Sequence, residues 1–117
     1  MKFNNEKPIY LQIIDMVMEK ILKKEWKNSE KILSVRDLGS SIEVNPNTVM
    51  RAYDKLQQDG IIFNKRGLGF YVAEDAIDKI LQNKRQHFLS NEAPLFFQTA
   101  KLLQISKEEL IELYQNY

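Results

Sequence analysis

The chain has 117 residues, enough for one domain or for one compact domain with an extension. Its 44% hydrophobic and 28% charged residues are ordinary for a soluble globular protein. With no cysteine and one histidine, the composition excludes disulfides and thiolate metal sites and leaves little for histidine chemistry. No apolar run approaches the roughly 18 residues of a transmembrane helix. The first residues also lack the apolar core of a signal peptide, so we expect a cytoplasmic protein.

The net charge of +1 hides a difference between the two parts of the chain. Residues 1–73 carry 12 Lys/Arg and 9 Asp/Glu, whereas residues 74–117 carry 5 and 7. A basic first part and an acidic second part are typical of an anion-binding domain followed by an assembly region. The sequence contains no His–acid pair, metal-ligand cluster or phosphate-binding loop. We therefore expect no enzyme activity, no catalytic residue, no metal and no cofactor.

Apolar periodicity predicts three helices in the first half of the chain. The first covers about residues 8–25 and turns Ile13, Val17 and Ile21 inward. Ser34 followed by Asp37 resembles a capping box and begins a second helix near residues 34–42. The third helix covers about residues 46–59, between an Asn-Pro start and the helix-ending Gly60.

After Gly60 the apolar pattern changes from helical to extended. Two short β-prone runs flank the turn N-K-R-G-L-G, which predicts a β-hairpin with a basic tip. Three helices followed by a hairpin are the order of a winged helix-turn-helix domain. Helical periodicity returns from Glu74, Pro94 marks a break or a new start, and Ser106 with Glu109 caps a last helix. The predicted fold is mainly α with a small β-hairpin: a winged helix-turn-helix domain over residues 1–73 and a helical dimerisation region over residues 74–117.

The third helix carries the strongest functional pattern. At about 100° per residue, Val49, Ala52, Tyr53 and Leu56 share one face, and polar residues occupy the opposite face. Such a helix could be an ordinary solvated surface helix, but its place between a partner helix and a basic hairpin favours DNA recognition. The residues predicted to read bases or phosphates at its start are Asn45, Asn47, Thr48 and Arg51.

Two further groups of residues are candidates for DNA contact. Arg36 in the second helix points to the DNA backbone or the groove edge; the alternative is an ion pair with Asp37 or Glu43. The hairpin tip combines cations that suit the minor groove with glycines that permit a close approach, although a plain turn with incidental charge would look similar. The tip residues are Lys65, Arg66, Gly67 and Gly69.

The last 44 or so residues are too few to bury a core of their own. The Leu95–Phe97 cluster packs either within the chain or against a second copy, and we favour a dimer interface. The residues predicted for that interface are Ile80, Phe88, Leu95, Phe96, Leu102, Leu103, Leu110 and Leu113.

Five motifs in order carry a family resemblance: P-I-Y-L-Q-I at 8–13, S-V-R-D-L at 34–38, N-P-N-T-V-M-R-A-Y at 45–53, L-Q-Q-D-G-I-I at 56–62 and K-R-G-L-G-F-Y-V at 65–72. Together they resemble the GntR family of bacterial transcription regulators, and the N-P-N-T-V form with a short helical tail is similar to the YtrA subfamily. The resemblance implies a homodimeric repressor that binds a pseudo-palindromic double-stranded DNA operator. It adds Ser34 to the DNA-facing positions, and Tyr10 as a residue that reaches a phosphate from the first helix.

The chain departs from the family pattern in the loop before the second helix. The usual Leu-Pro-Ser is Ile32-Leu33-Ser34 here, and two customary glycines are replaced near Glu25 and Ser29. These changes leave the loop conformation open but remove no DNA-facing position. The alternative function is a protein-interaction module on a winged-helix scaffold without DNA binding. The sequence does not identify an effector.

Overall fold

The structure, a computed structural model, describes residues 3–117. Contacts divide the chain into two compact units, one ending at Leu81 and the other comprising Gln82–Tyr117. The chain is mainly helical and contains one antiparallel hairpin, as predicted. The elements are α1 (Ile9–Leu22), α2 (Val35–Ile42), α3 (Pro46–Gln58), β1 (Ile62–Lys65), β2 (Gly69–Val72), α4 (Ala76–His87), a π-helical turn (Phe88–Glu92), α5 (Ala93–Leu102) and α6 (Lys107–Asn116).

The core of the first unit lies between α1 and α3. Ile13, Val17 and Ile21 of α1 are fully buried, as are Tyr53 and Leu56 of α3. Each set follows the i, i+4 or i, i+3 spacing that places side chains on one face of a helix. Burial of such side chains is the main favourable contribution to folding, at about 1.5–3 kcal/mol for each large apolar residue.

Capping contacts confirm the predicted start of α2 and end of α3, whereas α1 ends at Leu22 rather than near residue 25, and Lys24 has φ +63°. The Ser34 hydroxyl accepts a 3.0 Å hydrogen bond from the Asp37 N–H at the start of α2. Gly60 follows α3 with φ +73°, and the N–H groups of Gly60 and Ile61 donate to the carbonyls of Gln57 and Leu56. This pair of bonds is a Schellman motif, which satisfies two carbonyls at the end of the helix.

The loop before α2 is held by the hairpin. The Ser29 and Ile32 N–H groups donate to the carbonyls of Val72 and Phe70, and the Val72 N–H donates to the Glu30 carbonyl, each at 2.9 Å. Residues 29–32 thus lie along β2 and form an isolated antiparallel bridge between Lys31 and Tyr71, while the sheet itself has two strands. The missing family proline and glycines therefore do not leave the loop unsupported, although Ser29 takes a left-handed conformation with φ +66°.

The first unit extends beyond the predicted boundary at residue 73. Ala76 and Ile80 of α4 are fully buried in the same apolar cluster as α1 and α3. The prediction that Ile80 belongs to the dimer interface is therefore wrong, because its side chain is buried in the core of its own chain. The first half of α4 thus completes the core of the first unit, which we call the head.

The second unit has almost no interior. Of residues 82–117, only Ala93 and Ala100 are buried, and the large apolar side chains of this unit are mostly exposed. Pro94 lies in the first turn of α5, after the π-helical turn, where a proline costs no helical hydrogen bond. The Ser106 hydroxyl accepts from the Glu109 N–H at 3.2 Å and caps α6, as predicted. Within residues 3–117, no helix is both long and apolar enough to cross a membrane.

Candidate nucleic-acid interface

The two faces of α3 have the character that the sequence predicts. The apolar face is fully buried: Val49, Ala52, Tyr53 and Leu56 have no solvent exposure. The polar side chains on the other side are exposed: Asn47, Arg51, Lys55 and Gln58. Lys55 forms a 3.3 Å ion pair with Asp59. Arg51 is therefore the cation on this face that is left to bind a ligand.

Some polar groups at the start of α3 are used to cap the helix, and others are left for a ligand. The Asn45 side-chain oxygen accepts a 2.8 Å hydrogen bond from the Asn47 N–H, so this oxygen is used as the helix cap. Asn45 and Asn47 are both exposed, and among the described residues neither the Asn45 amide donor nor the Asn47 side chain makes a hydrogen bond. Pro46 at the first helical position needs no partner for a backbone N–H.

A shallow cleft of about 340 Å³ separates the first turns of α1 and α3. It brings together four residues that the sequence predicts to contact DNA: Tyr10, Asn47, Thr48 and Arg51. The Arg51 guanidinium carbon lies 3.9 Å from the centroid of the Tyr10 ring. This is a cation–π contact, and the sequence pattern did not reveal it because the two residues belong to different helices.

The lead-in to α2 is tied to α3 through Tyr53. Its hydroxyl donates a 2.7 Å hydrogen bond to the Leu33 carbonyl, directly before the Ser34 cap. Burial raises the pKa of the Tyr53 phenol, so the group stays protonated and able to donate. The Tyr53 ring also packs edge-on against Phe70 of β2, with ring centroids 4.9 Å apart. One buried side chain thus joins α3, α2 and the hairpin.

In α2, Gly39 packs against the turn that leads to α3, and Arg36 is exposed to solvent. A Cβ atom added at Gly39 would lie 2.7 Å from the Val44 carbonyl oxygen, so only glycine fits where the turn between α2 and α3 passes. Arg36 is exposed and, within the described residues, makes no ion pair with Asp37 or Glu43. The intramolecular alternative for Arg36 is therefore not formed.

The hairpin tip has the predicted glycine-dependent backbone. The Leu68 N–H donates to the Lys65 carbonyl at 2.8 Å and closes the turn, with Gly67 at φ +79°. Gly69 has φ +107°. Both values lie in the region that glycine adopts at little cost. Arg66 is exposed, and the Lys65 ammonium lies 4.4 Å from the centroid of the Tyr71 ring.

Lys31 is a candidate that the sequence reasoning missed. Its backbone bridges Tyr71, and its side chain lies beside Gly69, since a Cβ there would be 3.0 Å from the Lys31 Cε. Lys31 thereby joins the cations of the hairpin tip. Nothing in its local sequence marks it, because the loop pairs with β2 only through tertiary contacts.

Comparison with known proteins decides the family. Residues 9–72 match the model of bacterial regulatory proteins of the gntR family. This segment spans α1 to β2 and holds every residue of the interface described above. The chain belongs to the gntR family.

Relatives of this gntR-family chain are regulators. It is 34% identical over 113 residues to the uncharacterized HTH-type transcriptional regulator YhcF of Bacillus subtilis, covering 95% of this chain and 90% of YhcF. It is 44% identical over 77 residues to the B. subtilis HTH-type transcriptional repressor YtrA, covering 66% of this chain and 59% of YtrA. A GntR family transcriptional regulator structure from Listeria monocytogenes matches with TM-score 0.81 and 33% identity, covering 98% and 99% of the two chains.

These similarities establish the winged-helix fold and the class of function. This gntR-family protein is a DNA-binding transcriptional regulator, and its likeness to YtrA confirms the subfamily resemblance. The protein-interaction alternative is not favoured. The individual DNA-facing residues and the tail interface stay predictions, with Ile80 removed.

Proposed function

We propose that this regulator is a homodimeric repressor that reads a pseudo-palindromic operator in the cytoplasm. In each protomer the start of α3 enters the major groove, and the hairpin tip lies against the adjacent minor groove. The DNA-contacting set is Ser34, Arg36, Asn45, Asn47, Thr48, Arg51, Lys65, Arg66, Gly67 and Gly69, to which we add Lys31; Tyr10 lies in the same cleft, beside Arg51.

The observation that carries this proposal is the exposed polar edge of α3. Asn47 and Arg51 project from one side of a helix whose other side is fully buried, so the edge is held rigidly. Asparagine and arginine are the side chains that pair bidentately with adenine and guanine in the major groove. The relative YtrA is a transcriptional repressor, which supports repression as the direction of control.

The exposed apolar surface of the second unit supports the homodimer. Leu95, Phe96, Leu102, Leu103 and Leu113 are 57–81% exposed. A group of large apolar side chains on a small unit with two buried alanines marks an association surface. Two-fold assembly would place two α3 helices on half-sites about one helical turn, or roughly 34 Å, apart.

Selection of bound duplexes from random DNA tests the proposal. We expect an inverted repeat, bound by two chains per duplex, with an affinity that falls steeply as salt rises because phosphate contacts release counterions. Fluorescence anisotropy with the selected duplex then compares Arg51→Ala with Arg85→Ala, a matched removal of an exposed arginine from α4. Arg51→Ala should cost about 1–3 kcal/mol of binding free energy.

The outcomes separate the parts of the proposal. Equal affinities of Arg51→Ala and wild type would remove Arg51 from the reading set. A non-repeated selected sequence bound by one chain would contradict the dimeric operator. Loss of salt dependence would contradict a binding surface based on phosphates.

A further inference from the structure

The contact between Arg51 and Tyr10 has a geometry that matters for DNA reading. The guanidinium carbon of Arg51 lies 3.9 Å from the Tyr10 ring centroid, well within the range of about 6 Å for cation–π attraction. A cation–π contact draws on the positive charge of the guanidinium and forms no hydrogen bond to an acceptor. The five N–H donors of Arg51 make no hydrogen bond with another side chain among the described residues, so they are left for a ligand.

Tyr10 is itself held in place. Its ring is half-buried and packs against the core of the head. The turn of α1 that carries it is fastened by the buried Gln12, whose side-chain amide donates to the carbonyls of Asn4 and Lys7 at 2.9 and 2.8 Å. The Gln12 oxygen accepts from the Asn4 N–H at 3.1 Å. The ring is thus a fixed platform, whereas Arg51 is a long exposed side chain.

Arg51 has no competing partner of opposite charge. Within the described residues, it forms no ion pair with a carboxylate and no hydrogen bond with another side chain. The Tyr10 ring is therefore the contact that restricts its orientation before DNA is present. An arginine that is already ordered loses less conformational entropy on binding than a mobile one.

We propose that Tyr10 is a positioning residue that preorganises Arg51 for DNA through its ring face. This inference rests on the proposed role of Arg51 in DNA reading. It assigns the ring, rather than a phosphate contact of the hydroxyl, as the part of Tyr10 that matters. Tyr10 then controls both the affinity and the base discrimination that Arg51 supplies.

A double-mutant cycle on the full chain and the selected operator tests this inference. Tyr10→Leu removes the π face and keeps apolar bulk, whereas Tyr10→Phe keeps the face and removes the hydroxyl. We expect Tyr10→Leu to weaken binding by about 2- to 5-fold, which corresponds to the strength of an exposed cation–π contact. Tyr10→Phe should bind like the wild type, and Tyr10→Leu should have no further effect in an Arg51→Ala background.

Base discrimination provides a readout that a purely structural role would not change. The ratio of affinities for the selected operator and for a duplex substituted at the base that Arg51 reads should fall in Tyr10→Leu and stay unchanged in Tyr10→Phe. Thermal unfolding checks that each variant is folded. If Tyr10→Leu does not fold, Tyr10→Met replaces it as a second side chain without a π face.

Each other result counts against the inference. Equal losses in Tyr10→Phe and Tyr10→Leu would assign the effect to the hydroxyl. A loss in Tyr10→Leu that persists beside Arg51→Ala would show that Tyr10 acts independently of Arg51. If Arg51→Ala weakens binding but Tyr10→Leu does not, only the positioning role fails. If Arg51→Ala leaves binding intact, the proposed role of Arg51 fails and the positioning role fails with it.

Discussion

The hydroxyl of Tyr53 donates a 2.7 Å hydrogen bond to the carbonyl oxygen of Leu33, so α3 is fastened to the residue directly before α2 begins. The contact joins the middle of α3 to the start of α2, which is the end of α2 away from the connecting turn. Their relative orientation is therefore constrained both at the turn, by Gly39, and at the start of α2.

Replacement of Tyr53 by phenylalanine isolates this bond, because the ring and its packing on Phe70 are kept. We expect the free energy of unfolding to fall by about 0.5–1.5 kcal/mol, the usual value for one hydrogen bond. Tyr71→Phe is the matched control, since no hydrogen bond of the Tyr71 hydroxyl occurs among the described residues. Urea denaturation measures both, and equal stabilities of the two variants would contradict the structural role of the bond.

Gly39→Ala tests the close passage of the turn between α2 and α3. The new Cβ would lie 2.7 Å from the Val44 carbonyl oxygen, and a backbone atom cannot move aside cheaply. We expect a loss of about 1–3 kcal/mol in stability, typical of forced overpacking, together with weaker operator binding. Ser40→Ala, at an exposed neighbouring position of α2, should change stability by less than about 0.5 kcal/mol. Similar thermal midpoints for the two variants would refute the steric argument.

Ser29→Gly should stabilise the protein. Ser29 adopts φ +66°, which is costly for a residue with a Cβ, in the loop where the family usually has glycine. Relief of this strain, less the entropy of an added glycine, leaves about 0.5–1 kcal/mol. Glu30→Gly is the control with the opposite expected sign, because Glu30 has no positive φ. Calorimetry should show a higher midpoint of thermal unfolding for Ser29→Gly than for the wild type, and a lower one for Glu30→Gly.

Leu102→Glu tests the proposed dimer interface on α5. Leu102 is 81% exposed in the single chain, so a charge there leaves the fold of the protomer intact but is buried in a dimer that uses this face. Sedimentation velocity at micromolar concentration should show a dimer for the wild type and a shift to monomer for the variant. Gln98→Glu, at another exposed position of α5, controls for the added negative charge. A monomeric wild type would exclude the homodimer, and a dimeric Leu102→Glu would move the interface away from Leu102.

Local signals in the sequence were sufficient to predict most of the fold. The Asn45–Pro46 start, the Ser34 and Ser106 caps and Gly60 are short-range features whose hydrogen bonds span a few residues. The two faces of α3 follow from helical periodicity alone. These elements were predictable because their determinants are neighbours along the chain.

Tertiary structure decided what depends on contacts between distant residues. Ile80 has the spacing of an interface residue, yet it is buried in the head because α4 packs there for its first turns. The contact of Arg51 with Tyr10 and the placement of Lys31 beside Gly69 join segments that no local pattern connects. The sequence by itself determined the helices, the hairpin and the chemistry of α3. Only the folded chain determined which side chains hold that chemistry in place, because packing between elements depends on geometry that periodicity does not encode.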